Sequence, residues 1–125
     1  IINMKKAGLL IILLSAVFAA CYYDKDELIN PTDLNCNTEN VSYSGTVVPL
    51  LQANGCLGCH SGGAPSGNIS LSGYAAVKTV ALNGKLHGAI NHTPGFSPMP
   101  QGGNKMSACA IQQIKAWIDA GSIDN

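Results

Sequence analysis

Two cysteines and a histidine stand within five consecutive residues, in the segment Cys56-Leu57-Gly58-Cys59-His60. The chain around this segment has 125 residues, of which only one is Trp and two are Phe. A small domain with so few large side chains has difficulty burying enough apolar surface to be stable. A cofactor bound covalently in the middle of the domain would fill that deficit.

The spacing of these three residues is the attachment signature of a c-type haem. The thiols of Cys56 and Cys59 add across the two vinyl groups of the haem and form thioethers. The imidazole of His60 then reaches the iron from one side. The segment therefore predicts one covalent haem c.

Three other interpretations of the cysteine pair are weaker. A thioredoxin-like dithiol requires a strand before it and a helix that starts at it, whereas glycines surround this pair. A zinc site needs one or two further ligands at close spacing, and the remaining histidines and Cys109 do not provide them. A disulfide between Cys56 and Cys59 would be tight and strained.

The second axial ligand of the iron is expected downstream, in a loop. Met99 is the leading candidate because Pro98 and Pro100 restrict the backbone on both sides of it. Methionine usually fills gaps in a core, but a residue between two prolines is not on a regular core face. His92 lies in the same loop and is the alternative, which would make the haem bis-histidine.

The N-terminal residues read as an export signal. Lys5 and Lys6 precede a short apolar run that ends in small residues. Val17-Phe18-Ala19-Ala20-Cys21 resembles a bacterial lipoprotein signal, which implies lipidation of Cys21 and anchoring to a membrane of the cell envelope. Ordinary secretion with Cys21 left free is the alternative. We predict a signal peptide at 1–20 and a flexible tether at 21–35.

The remaining residues, 36–125, predict a mostly helical domain. Helices are expected at 46–54, capped by Thr46, and at 74–82. Segments 61–73 and 86–105 are rich in Gly and Pro and are expected to be loops. No alternating run is long enough for a sheet.

The last helix has the clearest signals. Ser107 is a good N-cap, and Met106 and Ile111 stand where a hydrophobic staple would place them. Apolar residues then recur at helical spacing up to Ile118. Gly121 can supply a left-handed residue at the C-terminus.

Taken together, these motifs resemble those of a class I monohaem cytochrome c. The stretches Met99-Pro100-Gln101-Gly102-Gly103 and Ile114-Lys115-Ala116-Trp117-Ile118 are similar to small cytochrome domains of bacterial lipoproteins. The resemblance covers residues 36–121. It implies a small helical domain wrapped around the haem, with long loops, in which the first and last helices cross beside the haem.

Counting the cysteines suggests a disulfide. Of five cysteines, the haem takes Cys56 and Cys59 and the lipid takes Cys21. Cys36 and Cys109 remain, in a compartment that oxidises thiols. They would be bridged if the first and last helices pack together as the resemblance implies. Alternatively, Cys109 is a small buried residue and Cys36 a free thiol.

The resemblance implies an electron carrier with no substrate chemistry, whose partners are redox proteins. Two alternatives stay open, namely a haem enzyme or gas sensor with a labile sixth ligand, and a binding lipoprotein without haem. The net charge is zero, and no basic stripe interleaved with aromatic residues is present. Nucleic acid is therefore not an expected partner.

Overall fold

The computed structural model describes residues 35–125. The predicted leader, Cys21 and the tether up to residue 34 lie outside these residues. The described part contains no β-strand, which confirms the predicted helical class. Its helical elements are a π-helical turn (Tyr43–Val47), α1 (Val48–Ala53), α2 (Cys56–Cys59), a 3-10 turn (Ser66–Asn68), α3 (Tyr74–Leu82), α4 (Lys85–Ile90) and α5 (Ala108–Asp119). None of these helices is long and apolar enough to span a bilayer.

The first helical segment begins earlier than predicted. Ser42 is the N-cap, and its hydroxyl accepts a hydrogen bond from the backbone N–H of Gly45 at 3.0 Å. The expectation that Thr46 caps this segment was therefore wrong, because the hydroxyl of Ser42, four residues upstream, caps the π-helical turn that precedes α1. The π-helical turn then continues directly into α1, which carries a proline in its first turn as predicted.

The central helices confirm one prediction and correct another. Helix α3 has the predicted bounds. The predicted loop at 86–105 is wrong at its start, because α4 occupies Lys85–Ile90. Gly84 has a φ of 79°, which lets the chain turn sharply and begin a new helix immediately. Leu86 and Ile90 lie one helical turn apart and are both buried, so packing against the core stabilises this short helix.

Helix α5 matches its sequence signals. The hydroxyl of Ser107 accepts from the N–H of Ala110 at 3.2 Å. At the other end, the N–H groups of Gly121 and Ser122 donate to carbonyls of Ile118 and Trp117, at 2.9 and 3.0 Å. This is the Schellman pattern, with Gly121 at a φ of 96°. The face predicted to be apolar is buried at Ile111, Ile114 and Trp117.

The N-terminal segment packs against α5 at several points. A disulfide joins Cys36 to Cys109, with Cα atoms 5.4 Å apart, so the structure has the bond that the cysteine count suggested. The rings of Tyr43 and Trp117 lie 5.7 Å apart. These contacts hold the start of the described region against its last helix. The candidate site lies among the remaining helices α2, α3 and α4.

Candidate cofactor-binding site

The cysteine pair lies on a single turn of helix. Cys56 and Cys59 are the first and last residues of α2, so they share one helix face, three residues apart. Gly55, at a φ of 70°, turns the chain from α1 into this helix. The sequence predicted no helix at the motif, and the one-turn α2 is a finding of the structure.

Both thiols of the pair are free, and no disulfide joins them. Cys56 is half-buried, and burial raises the pKa of its thiol, an effect that a hydrogen bond at its own backbone opposes only in part. A redox-active dithiol depends on the opposite, a thiol whose pKa is lowered. Cys59 is exposed. The structure thus has the helix that such a dithiol requires but no strand before it within residues 35–125, and the raised pKa of the Cys56 thiol also does not favour a thioredoxin-like function.

A hydrogen bond at Nδ1 holds the imidazole ring of His60 in one orientation. This nitrogen lies 2.9 Å from the carbonyl oxygen of Ile69. A carbonyl can only accept, so Nδ1 carries the proton of the bond and a neutral ring keeps its free lone pair on Nε2. The carbonyl of His60 itself accepts from the N–H of Leu71 at 2.7 Å. His60 is thus oriented and its Nε2 is left available to a metal.

A cavity of about 350 Å³ is lined by three of the four predicted haem-binding residues, Cys56, His60 and Met99, whereas Cys59 does not line it. Its volume falls within the range usual for cofactor and ligand sites. Most of its lining is apolar, and Lys85 is the one lysine in it. The residues that line it are Cys56, His60, Ile69, Leu71, Val80, Lys85, Leu86, Ala89, Ile90, Gly95, Phe96, Ser97 and Met99.

Met99 lines this cavity from a loop that is hydrogen-bonded to α4. The N–H of Met99 donates to the carbonyl of Ala89 at 3.0 Å. A few residues earlier, the ring of Phe96 lies directly on Gly88, where any Cβ would stand 2.6 Å from the ring carbons. A side chain at position 88 would therefore displace the ring of Phe96.

His92, the alternative ligand, does not line the cavity. Its Nε2 lies 3.0 Å from the carbonyl oxygen of Met99. By the same reasoning as for His60, the carbonyl accepts and Nε2 of His92 carries the proton. The structure thus places His92 beside the Met99 backbone.

Several residues of the site were not predicted from the sequence. The carbonyl of Ile69 has no sequence signal, because every residue carries a carbonyl. The cavity-lining face of α4 does have one, since Leu86 and Ile90 are spaced as neighbours on a helix after the Asn83-Gly84 stop. Phe96 could have been noted as the one aromatic residue near Met99.

No group of three or more His, Cys, Asp or Glu side chains within residues 35–125 is placed to hold a metal ion. An iron bound through one histidine and one methionine is not a group of that kind. The chain matches no protein-family model, no curated protein and no solved structure.

Proposed function

We propose that the chain is a monohaem c-type cytochrome that transfers electrons outside the cytoplasm. The observation that carries this proposal is the convergence of two segments, the cysteine–histidine motif and the Met99 loop, on one cavity. Cys56 comes from the motif helix, His60 follows it with Nε2 free, and Met99 comes from a loop about forty residues downstream. This is the donor set of a haem with His/Met ligation.

The polarity of the cavity lining also suits the haem macrocycle and its carboxylates. The macrocycle is apolar, and it would contact the apolar side chains of α3 and α4. The two haem carboxylates need a cation or water, and Lys85 is the lining residue that can supply the charge. Lys85 has no carboxylate partner among the described residues. Charge and polarity therefore agree with the proposal.

Attachment would use both thiols of α2. Each S–H adds across one vinyl C=C, so that sulfur bonds to one carbon and the hydrogen goes to the other. When bound, the haem supplies one-electron exchange between ferric and ferrous iron. His60 and Met99 would hold the iron and leave it no open position, and this ligand pair raises the reduction potential of a haem.

The protein residues around the site have three tasks in this proposal. The Nδ1–H···O bond from His60 to Ile69 keeps the imidazole at one angle to the iron. The bond from the Met99 N–H to Ala89 keeps the thioether within reach. The apolar lining would keep water away from the haem. Fewer solvent dipoles would then have to reorient when the charge of the iron changes. Of the three, the bond that keeps the Met99 thioether within reach supports an electron carrier over an enzyme, because a second ligand would close the sixth position of the iron.

The location outside the cytoplasm is part of the same proposal. The export signal, a lipid anchor at Cys21 and the tether would place a cytochrome domain at 36–125 on the periplasmic side of a membrane. Its partners would be redox proteins and, through the lipid, the membrane itself. The disulfide between Cys36 and Cys109 supports this location, because such bonds persist in oxidising compartments.

Met99→Ala is expected to keep the haem attached and to open the sixth coordination position. The thioether is lost, so the near-infrared Met–iron charge-transfer band should disappear and the ferric iron should become high-spin or take up an added ligand. Absorption spectra of the purified protein measure both effects. Met106→Leu is the matched control, because Met106 is buried in the core and does not line the cavity.

The same spectra separate the alternatives. A wild-type protein that is already high-spin would favour a haem enzyme or gas sensor. A Met–iron band that survives Met99→Ala would contradict the ligand assignment.

A further inference from the structure

Helix α4 ends differently from the other α-helices of six or more residues. Helices α1, α3 and α5 are each followed, after their C-cap residue, by a glycine in the left-handed conformation, namely Gly55, Gly84 and Gly121. The corresponding residue after α4 is His92, with a φ of 55°. A side chain with a Cβ is strained there, and glycine is the usual choice.

The backbone of His92 is held in this conformation by α4 itself. The N–H of His92 donates to the carbonyl of Ala89 at 3.2 Å, and the N–H of Thr93 donates to the carbonyl of Gly88 at 2.9 Å. This is the same Schellman pattern that ends α5. Because glycine would serve the helix better, the presence of a histidine points to a task for its side chain.

We propose that His92 is a positioning residue for Met99, and this inference rests on the proposed haem ligation by Met99. The ring donates from Nε2 to the Met99 carbonyl at 3.0 Å, while the Met99 N–H donates to Ala89 at 3.0 Å. Both backbone polar groups of Met99 are therefore fixed, one by the helix and one by the residue that ends it. A ring that donates from Nε2 has no lone pair on that nitrogen, and His92 does not line the cavity, so in this arrangement His92 positions Met99 and does not replace it.

The test is the variant His92→Gly, read in two ways on the haem-loaded protein. Glycine removes the ring and relieves the strained backbone, so resistance to thermal unfolding should stay the same or rise. The loop that carries Met99 should open more often. Cyanide binds ferric iron only after Met99 leaves, so we expect it to bind roughly two- to tenfold faster, as for the loss of one net hydrogen bond.

Two further variants make the result specific. His92→Gln places an amide N–H the same number of bonds from Cβ as Nε2, and it should restore much of the slow cyanide binding. His87→Gln, which changes the histidine inside α4, should bind cyanide at the wild-type rate. If His92→Gly is not recovered folded, His92→Asn replaces it, because asparagine also tolerates the left-handed conformation.

Cyanide binding to His92→Gly at the wild-type rate, with the Met–iron band present in both proteins, would overturn this inference and leave the proposed function intact. A wild-type haem protein without the Met–iron band would instead refute ligation by Met99, and the positioning role with it.

Discussion

Exported protein in which Ala replaces both Cys56 and Cys59 is expected to carry no covalently bound haem. The two thiols are the only groups of α2 that can form thioethers, and both are free in the structure. Denaturation followed by reversed-phase separation measures the effect, since covalent haem stays with the polypeptide. We expect complete loss, with any remaining haem held by His60 and Met99 alone and released on unfolding.

The matched control for this variant removes the other two cysteines of the domain. Cys36→Ala with Cys109→Ala also deletes two thiols, but these are joined to each other and lie outside the cavity lining. That protein should keep its haem through denaturation. If the Cys56 and Cys59 variant were recovered with the visible spectrum and the reversible redox change of the wild type, covalent attachment would not be needed for the function.

The second large effect is on stability and comes from the same control variant. The disulfide links residues 73 positions apart. In the chain-entropy model, closing a loop of that length stabilises the folded domain by about 4 kcal/mol. Haem-loaded wild type and the Cys36→Ala, Cys109→Ala variant should therefore differ by about that amount in the free energy of unfolding in urea.

Reduction of the disulfide in the wild type gives an independent comparison, with the haem iron kept ferrous in both samples, because it breaks the same bond without a substitution. A loss of less than about 1 kcal/mol in both experiments would contradict the expectation and show that the unfolded chain gains little freedom from the cut.

The parts of the fold that could be predicted from sequence are those where several signals agree. Helix α5 has a cap, a staple, a regular apolar face and a terminal glycine, and it forms as expected. The start of the first helical segment could not be predicted, because Ser42 and Thr46 are both adequate caps and only packing decides between them. Helix α4 was missed because six residues between turn signals look like loop until their buried contacts are known.

The candidate site, too, could be predicted from the sequence only in part. The sequence predicts the residue types of the proposed haem site, since Cys56, His60 and Met99 belong to motifs. It does not distinguish a histidine that ligates from one that donates to a backbone carbonyl, because the side chain is the same. In three dimensions the two histidines differ in the ring nitrogen that is engaged: Nδ1 of His60 lies by the Ile69 carbonyl and leaves Nε2 free, whereas Nε2 of His92 lies by the Met99 carbonyl. Of the two, only His60 lines the cavity.

The most direct test of the proposed haem and its ligation is the absorption spectrum of the purified, exported chain, recorded from the visible into the near infrared. We expect low-spin bands of a c-type haem that remain with the polypeptide after denaturation, and a Met–iron charge-transfer band in the oxidised protein. A protein that folds and is exported but shows no haem absorption would contradict it.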